Sequence, residues 1–482
     1  MYLGIDLGTS AVKAVLADDS DRIIAQESAL LEISRPHPLW SEQDPEAWWS
    51  ACDSALRALG RCHDLRSVRG IGLSGQMHGA TLLGADDKPL RPAILWNDGR
   101  SISECEELER VPRFRAITGN LAMPGFTAPK LLWVREHEPE VFERLRCVLL
   151  PKDVLRLRMT GDAATDLSDA AGTLWLDVAR REWSSELIEA TGLRSEMLPT
   201  LFEGNATTGV LRSEVATAWG MERVPVAAGA GDQAAGAIGV GVVRSGEASL
   251  SLGTSGVLFV ASDSFKANAD RAVHSFCHCL PETWHQMSVI LSAASCLSWL
   301  TRLVGAEDEA ALLAEVEAVD RPNEQLIFLP YLSGERTPHN DPHATGTFIG
   351  LDHDVDAAAM GRAVLEGVAF AFADAQAALT SAGTRIDAVS VIGGGARSLL
   401  WGRIMASVLD RPLVYRTGGE VGPAQGAARL ARLAVTGEAP EVVCKAPPVA
   451  FEVEPDAGLR DLYGGRLDRY RDLYGRLRGA FR

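Results

Sequence analysis

The chain has 482 residues, 46% of them hydrophobic and 23% charged, with a formal net charge of -17. This length exceeds what one ordinary core supports, so two domains are expected. The excess of acid disfavours a polyanionic partner such as nucleic acid or an anionic membrane surface, whereas a small anion such as a nucleotide can still be held by backbone amides and a metal.

Met1 to Leu16 reads as strand carrying Asp6 and Lys13, not as a basic segment followed by an apolar run, so no signal peptide is expected. Within it, Gly4-Ile5-Asp6-Leu7 is a short apolar strand, Gly8-Thr9-Ser10 a turn, and Ala11 to Leu16 a second strand. The prediction is a β-hairpin with a small, amide-rich tip, where glycine lets the backbone approach an oxyanion closely. An acid inside that apolar run is costly to bury without a partner. Asp6 is therefore read as a carboxylate that holds magnesium against phosphates, with a turn-capping role as the alternative.

Asp44 is placed to cap a helix with Pro45 at its first position and Trp48, Trp49, Cys52 and Leu56 at helical spacing. The strand Gly70 to Ser74 runs into Gly75-Gln76-Met77-His78-Gly79, and the strand Pro92 to Leu95 runs into Trp96-Asn97-Asp98-Gly99-Arg100. Polar groups just after strands are where α/β domains bind small ligands, which makes Gln76, Met77, His78, Trp96 and Asp98 substrate candidates. Flanking glycines should leave His78 accessible. Thr127 and Pro129 open a further helix with Lys130, Leu131, Leu132 and Trp133. The strand Val224 to Ala228 leads through Gly229-Ala230-Gly231 to Asp232 and a small-residue helix. Asp232 is either a helix N-cap or a general base, and a near-normal pKa would serve a base in phosphoryl transfer. The stretch Val224 to Val243 is the nearest to membrane length, but its Gly, Ala and Asp232 argue against a span.

The second half echoes the first. Leu250-Ser251-Leu252-Gly253-Thr254-Ser255-Gly256 repeats the strand and Gly-Thr-Ser turn, with Ser251 where the first copy has Asp6, and Val257 to Val260 as the return strand. Val389 to Ile392 runs into Gly393-Gly394-Gly395-Ala396 and a helix from Ser398 to Leu409, as Val224 to Ala228 did. Two facing hairpins would clamp a polyphosphate. The echo predicts a duplicated α/β domain with a boundary between Val243 and Glu247, giving domains 1–245 and 246–482. His274, Cys277, His278, Cys279 and His285 cluster, but with no CxxC pair and with alternating strand positions they are read as strand residues, not a metal cage. The eight scattered cysteines are read as reduced thiols in a cytoplasm. Near the C-terminus, Leu459, Leu462, Tyr463, Leu467, Tyr470, Leu473, Tyr474 and Leu477 form one packed stripe, with the arginines as its solvated face. The P-loop pattern GxxxxGK[ST] is absent.

Asp6-Leu7-Gly8-Thr9-Ser10, Ser251-Leu252-Gly253-Thr254-Ser255, Gly231-Asp232 and Gly393-Gly394-Gly395-Ala396 together resemble the carbohydrate kinases of the FGGY family, within the actin/hexokinase/Hsp70-like ATPase superfamily. Met123 to Trp133 looks like the family's first signature and Gly346 to Glu366 like the second. The second departs at Ala359, where the family usually has a polar or acidic residue near a helix start; a small loss of stability and no loss of chemistry is expected.

The resemblance implies two ribonuclease-H-like α/β domains around a deep cleft, sugar against the first and ATP largely against the second. It implies Asp232 as the base and Asp6 as the magnesium residue. Gly8, Thr9, Ser10 and Lys13 would face the phosphates from the first domain, Gly253 and Thr254 from the second. Gly394, Gly395 and Ala396 would line the adenosine site, and Met77 and His78 would contact the sugar. The segments Arg35 to Pro45, Gly75 to Gly79, Leu95 to Arg100 and Leu332 to His339 resemble the members that phosphorylate D-xylulose, with ribulose, gluconate or a related polyol as alternatives. Glycerol is disfavoured, because the members acting on it typically carry Arg-Glu where this chain has Met77-His78. An Hsp70-like ATP-driven binding protein would need a peptide-binding domain, and a sugar-sensing regulator a DNA-binding module; neither is expected here. A homodimer is left open.

Overall fold

The structure, a computed structural model, describes residues 1–318, 323–417 and 422–481. The opening strand Tyr2–Leu7 pairs antiparallel with Ala11–Ala17, Asp6 standing opposite Lys13. Leu3, Ile5 and Leu7 alternate into the core, as do Val12, Ala14 and Leu16, which is the period-two pattern that fixes a strand's face. Ile23–Leu30 continues the meander, and Ile71–Gly75 joins the opening strand on its other side in parallel, with Asp6 beside Ser74. The sheet is completed by Pro225–Ala227 and Thr207–Val210, while Ala230–Gly231 also pairs with Ile71–Gly75.

The second sheet repeats this plan. Glu247–Leu252 and Gly256–Ser262 form its hairpin, extended by Trp284–Ile290 and His274–Cys277 on one side. Ala388–Ile392 pairs in parallel on the other side, followed by Leu413–Arg416 and Val449–Val453. Leu252 pairs with Gly256 where Leu7 pairs with Val12, so the second turn is the tighter one. Both sheets thus carry an antiparallel meander with a parallel strand beside its first member, a mixed sheet built twice.

Two helices answer their capping signals. Pro45–Cys62 starts after Asp44, whose carboxylate accepts from Glu46 N, and Ala357–Ser381 starts after Asp356, which accepts from Ala359 N. Ala359 therefore occupies the third helical position, where its amide is capped but no side chain reaches back to complete a capping box. Pro92 to Leu95 yields only a two-residue strand, Ala93–Ile94.

Ala357–Ser381 is also a correction to the reading of apolar stretches. Among the described residues it is the one helix long and apolar enough to cross a membrane, more so than Val224 to Val243. It is a core helix: 83% of its most apolar window is buried, and its charged residues are paired, Arg362 with Glu366 and Asp374 with Arg471. The C-terminal helix Ala457–Leu477 packs its tyrosine and leucine stripe on this core, as its spacing required. Its arginines are not all solvated, however. Arg466 is buried, pairs with Glu366 at 2.5 Å and donates to the carbonyls of Asn323, Glu324 and Leu326.

The halves are joined by close backbone contact. The helix Pro423–Thr436, from the second half, lies across the first sheet, where a Cβ on Gly4 would stand 1.9 Å from the Ala424 carbonyl oxygen and one on Gly72 1.9 Å from that of Ala427. A continuous apolar cluster also links Met77 and Phe126 to Phe259, Phe276 and Met287 of the second sheet.

Candidate active site

Asp6 stands near the end of its strand, two residues before Gly8, where the Gly8-Thr9-Ser10 turn begins. Burial pushes its carboxyl up to about 6, against the opposing pull of Ser74 and Lys13. Neither Asp6 Oδ1 nor Ser74 Oγ has a well-aligned hydrogen-bond partner. A carboxylate oxygen left without a partner in a dry position is a fitting ligand for a hard divalent cation.

Asp232 opens the helix Asp232–Gly239, with Gly231 in the capping position and no side-chain cap bond. The N-cap alternative is thereby set aside, and the carboxylate is left for other work. Gly231 pairs with Gly75, the residue after Ser74, which brings Asp232 alongside Asp6. Burial first, and the charge of Asp6 second, push the Asp232 carboxyl up to about 7, against hydrogen bonds from Gln233. The value lies above the near-normal one that would have served a base, because two acids stand side by side.

Met77 is buried against this turn. A Cβ on Gly231 would lie 2.8 Å from Met77 Cγ and 2.9 Å from its Sδ, so only glycine lets the thioether sit there. His78 adopts a left-handed backbone, φ 68°, and packs edge-on to Phe126 at 4.7 Å. It is more enclosed than its glycine neighbours implied, and burial pushes its pKa down to about 3. Its Nδ1 lies 2.9 Å from the Gly172 carbonyl. A carbonyl only accepts, so Nδ1 carries the proton and Nε2 is left as an acceptor.

Gln76 and Asp98 are both held by hydrogen bonds within the chain. Gln76 Nε2 donates to Gln43 Oε1 at 2.9 Å, and Gln76 Oε1 accepts from the Thr9 hydroxyl at 3.1 Å. Asp98 has a fully buried side chain whose oxygens accept from Ser41 N and from Arg100. Both side chains brace the loops that carry them. Trp96 is 46% exposed and donates from Nε1 to Thr9 Oγ1 at 3.0 Å, so the turn after the first strand and the loop after Ile94 are hydrogen-bonded together.

Several residues to which the motifs assigned no individual role belong here. Gln43 accepts from Trp48 Nε1 and donates to the Thr9 carbonyl, anchoring the first turn. Lys130 Nζ donates to the carbonyls of His78 and Gly125, and burial pushes its pKa down to about 7. Glu335, raised by burial to about 8, accepts from the amides of Leu291 and Arg336, and Arg336 reaches His274 across the aromatic cluster. Gln43, Lys130, Glu335 and Arg336 all lie inside segments that carry the family resemblance, but nothing in those strings pointed to their partners.

In the second half a cavity of about 880 Å³ opens at the other Gly-Thr-Ser turn. Gly253, Thr254, Gly394, Gly395 and Ser398 line it, and Leu297, Leu313 and Trp401 supply apolar surface. The size suits a nucleotide-scale ligand. A Cβ on Gly394 would meet nothing within 4 Å, whereas one on Gly395 would strike Leu252 at 2.5 Å, so the first glycine faces open space and the second packs. Ala396 does not line the cavity; its methyl packs on the core of the second half, a correction forced by the helical turn Gly394–Arg397.

Residues 1–239 match the model of the FGGY carbohydrate kinases' N-terminal domain, and residues 248–435 match that of the C-terminal domain. The chain belongs to the FGGY family of carbohydrate kinases. It is 54% identical to a xylulose kinase of Escherichia coli strain K12, over 99% of each chain, and 56% identical to a xylulose kinase of Klebsiella pneumoniae, over 91% of each. A solved structure, of a xyloylose kinase from Brucella ovis, superposes with a TM-score of 0.96 at 50% identity, covering 99% of both chains. The protein is thus a sugar kinase with ATP as phosphoryl donor, on the two-domain α/β ATPase fold that the paired hairpins pointed to.

Proposed function

We propose that this kinase transfers the γ-phosphoryl group of ATP to the terminal hydroxyl of D-xylulose, giving D-xylulose 5-phosphate and ADP. The observation that carries the reading is one arrangement: Asp232 beside Asp6, with the Met77 thioether packed on Gly231 and a neutral His78 next along the chain. A weakly polar wall with one acceptor nitrogen suits an uncharged ketose, and the names of the bacterial relatives support that substrate.

In this reading residues 1–245 hold the sugar and residues 246–482 most of the nucleotide. The sugar hydroxyl oxygen bonds to the γ-phosphorus as the bond from phosphorus to the β–γ bridging oxygen breaks, and the hydroxyl proton passes to an Asp232 oxygen. Asp6 would hold a magnesium ion through its unpartnered Oδ1. Bound there, magnesium supplies positive charge against the phosphate oxygens. The amides of Gly8, Thr9 and Ser10 with Lys13 face the phosphates from one side, and Gly253 and Thr254 from the other. Gly394 and Gly395 border the adenosine. The eight cysteines are unpaired, which fits a reducing cytoplasm.

The test is ADP release measured with xylulose, ribulose, gluconate and glycerol side by side, on the native enzyme and on Asp232→Ala. Xylulose is expected to give the highest kcat/KM. Asp232→Ala is expected to lose about 10²–10⁴ in kcat while still binding ATP. A better turnover on another sugar removes the substrate assignment, and an active Asp232→Ala removes the base.

A further inference from the structure

Beneath the site lies a cluster of charge that the reaction does not use directly. Lys152 is fully buried, with its Nζ 2.6 Å from Asp153, 2.9 Å from Asp166 and 3.3 Å from Asp169, and all three aspartates are fully buried as well. Asp153 Oδ2 and Asp169 Oδ1 have no hydrogen-bond partner, and Asp166 Oδ1 and Asp169 Oδ2 meet only the ammonium. One ammonium among three desolvated carboxylates is an expensive arrangement, and an apolar replacement of similar volume commonly matches or exceeds the stability of such a group. Burial raises the carboxyls of Asp153 and Asp169, against the opposing pull of the Lys152 ammonium.

Two routes lead from this cluster to the reacting groups. Asp166 Oδ2 accepts from the Ser168 amide at 2.7 Å and from the Ser168 hydroxyl at 2.5 Å. With its proton so committed, Ser168 Oγ accepts from the amide of Gly231 at 3.2 Å, one residue before Asp232. The other route runs through the backbone. Gly172 N donates to the Asp169 carbonyl at 3.0 Å, and the Gly172 carbonyl accepts from His78 Nδ1 at 2.9 Å. A Cβ on Gly172 would stand 2.4 Å from the imidazole, so the segment also sets where the ring lies.

We propose that Lys152 and Ser168 are positioning residues for phosphoryl transfer: the ammonium gathers the turn 166–172, which aims the Asp232 carboxylate through Ser168 and fixes the His78 tautomer through Gly172. The proposal rests on the reading of Asp232 as base. Its function is geometric, because a base misplaced by a few tenths of an ångström loses turnover while ground-state binding survives.

Lys152→Met leaves three buried carboxylates without a cation and can fail to fold, so the decisive variant is Ser168→Ala, with Ser168→Thr as the form that keeps the hydroxyl. In Ser168→Ala, kcat should fall about tenfold, the loss of one buried hydrogen bond's worth of alignment. KM for ATP should stay within about twofold, and nucleotide-binding stoichiometry, read by titration with ADP, should match the native enzyme. Ser168→Thr should regain at least half of the lost turnover. Unchanged kcat in Ser168→Ala, a loss matched by fewer nucleotide-binding sites, or no recovery in Ser168→Thr each overturns the proposal. Asp232→Ala run in parallel separates the two readings: an active Asp232→Ala defeats the base itself, whereas an inert Asp232→Ala beside a fully active Ser168→Ala defeats only the positioning.

Discussion

Asp232 and Asp6 lie close enough for one charge to be felt by the other, and the consequence is a pH dependence with a definite sign. Asp232 must be ionised to accept a proton, so kcat/KM is expected to rise with pH through about 7, where burial and Asp6 have moved it. The same shift affects stability. A carboxyl raised above its unfolded value of 3.8 holds its proton more tightly when folded. That contribution is fully present below about pH 4 and is lost as the pH rises through about 7. Asp232→Asn, which has no charge to desolvate, should therefore be more stable than the native chain at pH 8 by about 1–3 kcal/mol, with the difference vanishing near pH 4. Thermal unfolding at the two pH values checks it. The glycine pair of the nucleotide cavity gives a second residue-scale contrast. Gly394→Ala places a methyl in open space, so it should raise KM for ATP about tenfold or more with the melting temperature unchanged. Gly395→Ala strikes Leu252 and should cost about 1–3 kcal/mol of stability.

Among the elements, the C-terminal helix Ala457–Leu477 separates two kinds of arginine. Arg466 is buried against Glu366 and satisfies three backbone carbonyls. Removing it leaves Glu366 with only Arg362 and Tyr463 and takes a donor from each of those carbonyls. Arg466→Ala should then cost about 3–5 kcal/mol, read as a lower denaturation midpoint. Arg476 pairs with Asp472 on the solvent side, where both side chains are more than half exposed, and Arg476→Ala should change the midpoint by less than about 0.5 kcal/mol. Periodicity located this helix and its apolar stripe correctly. It could not sort the arginines, because what makes Arg466 different is the far-off Glu366 it meets.

For the whole molecule, the helix Pro423–Thr436 ties the halves together by lying directly on the first sheet. It crosses Gly4 and Gly72, and Gly426 would carry a Cβ 1.9 Å from the Ala235 carbonyl oxygen of the Asp232 helix. Such contacts are backbone against backbone and leave no side chain to yield. Gly72→Ala should separate helix from sheet, lowering the apparent melting temperature and kcat together, while the cavity at Gly394 keeps its lining. Differential scanning calorimetry with steady-state kinetics on the same preparation tests this coupling.

How much of this was readable beforehand follows from range. The hairpins, the Gly231-Asp232 turn, the capped helix after Asp44 and the duplication are local patterns, and local backbone preference with short-period burial determines them wherever they occur. The candidate residues Asp6, Asp232, Met77 and His78 fall inside those patterns, so residue type and spacing were enough to single them out as candidates. Packing alone decided the rest. Gln76 and Asp98 turned inward because Gln43, Thr9 and Arg100 reached them from elsewhere in the chain, and Ala396 turned to the core because a helical turn begins there. The shift of Asp232, the cluster around Lys152 and the union of the halves through Gly4 and Gly72 all depend on which distant groups share a water-poor space. Desolvation and charge coupling are properties of that three-dimensional neighbourhood, and a one-dimensional pattern does not contain them.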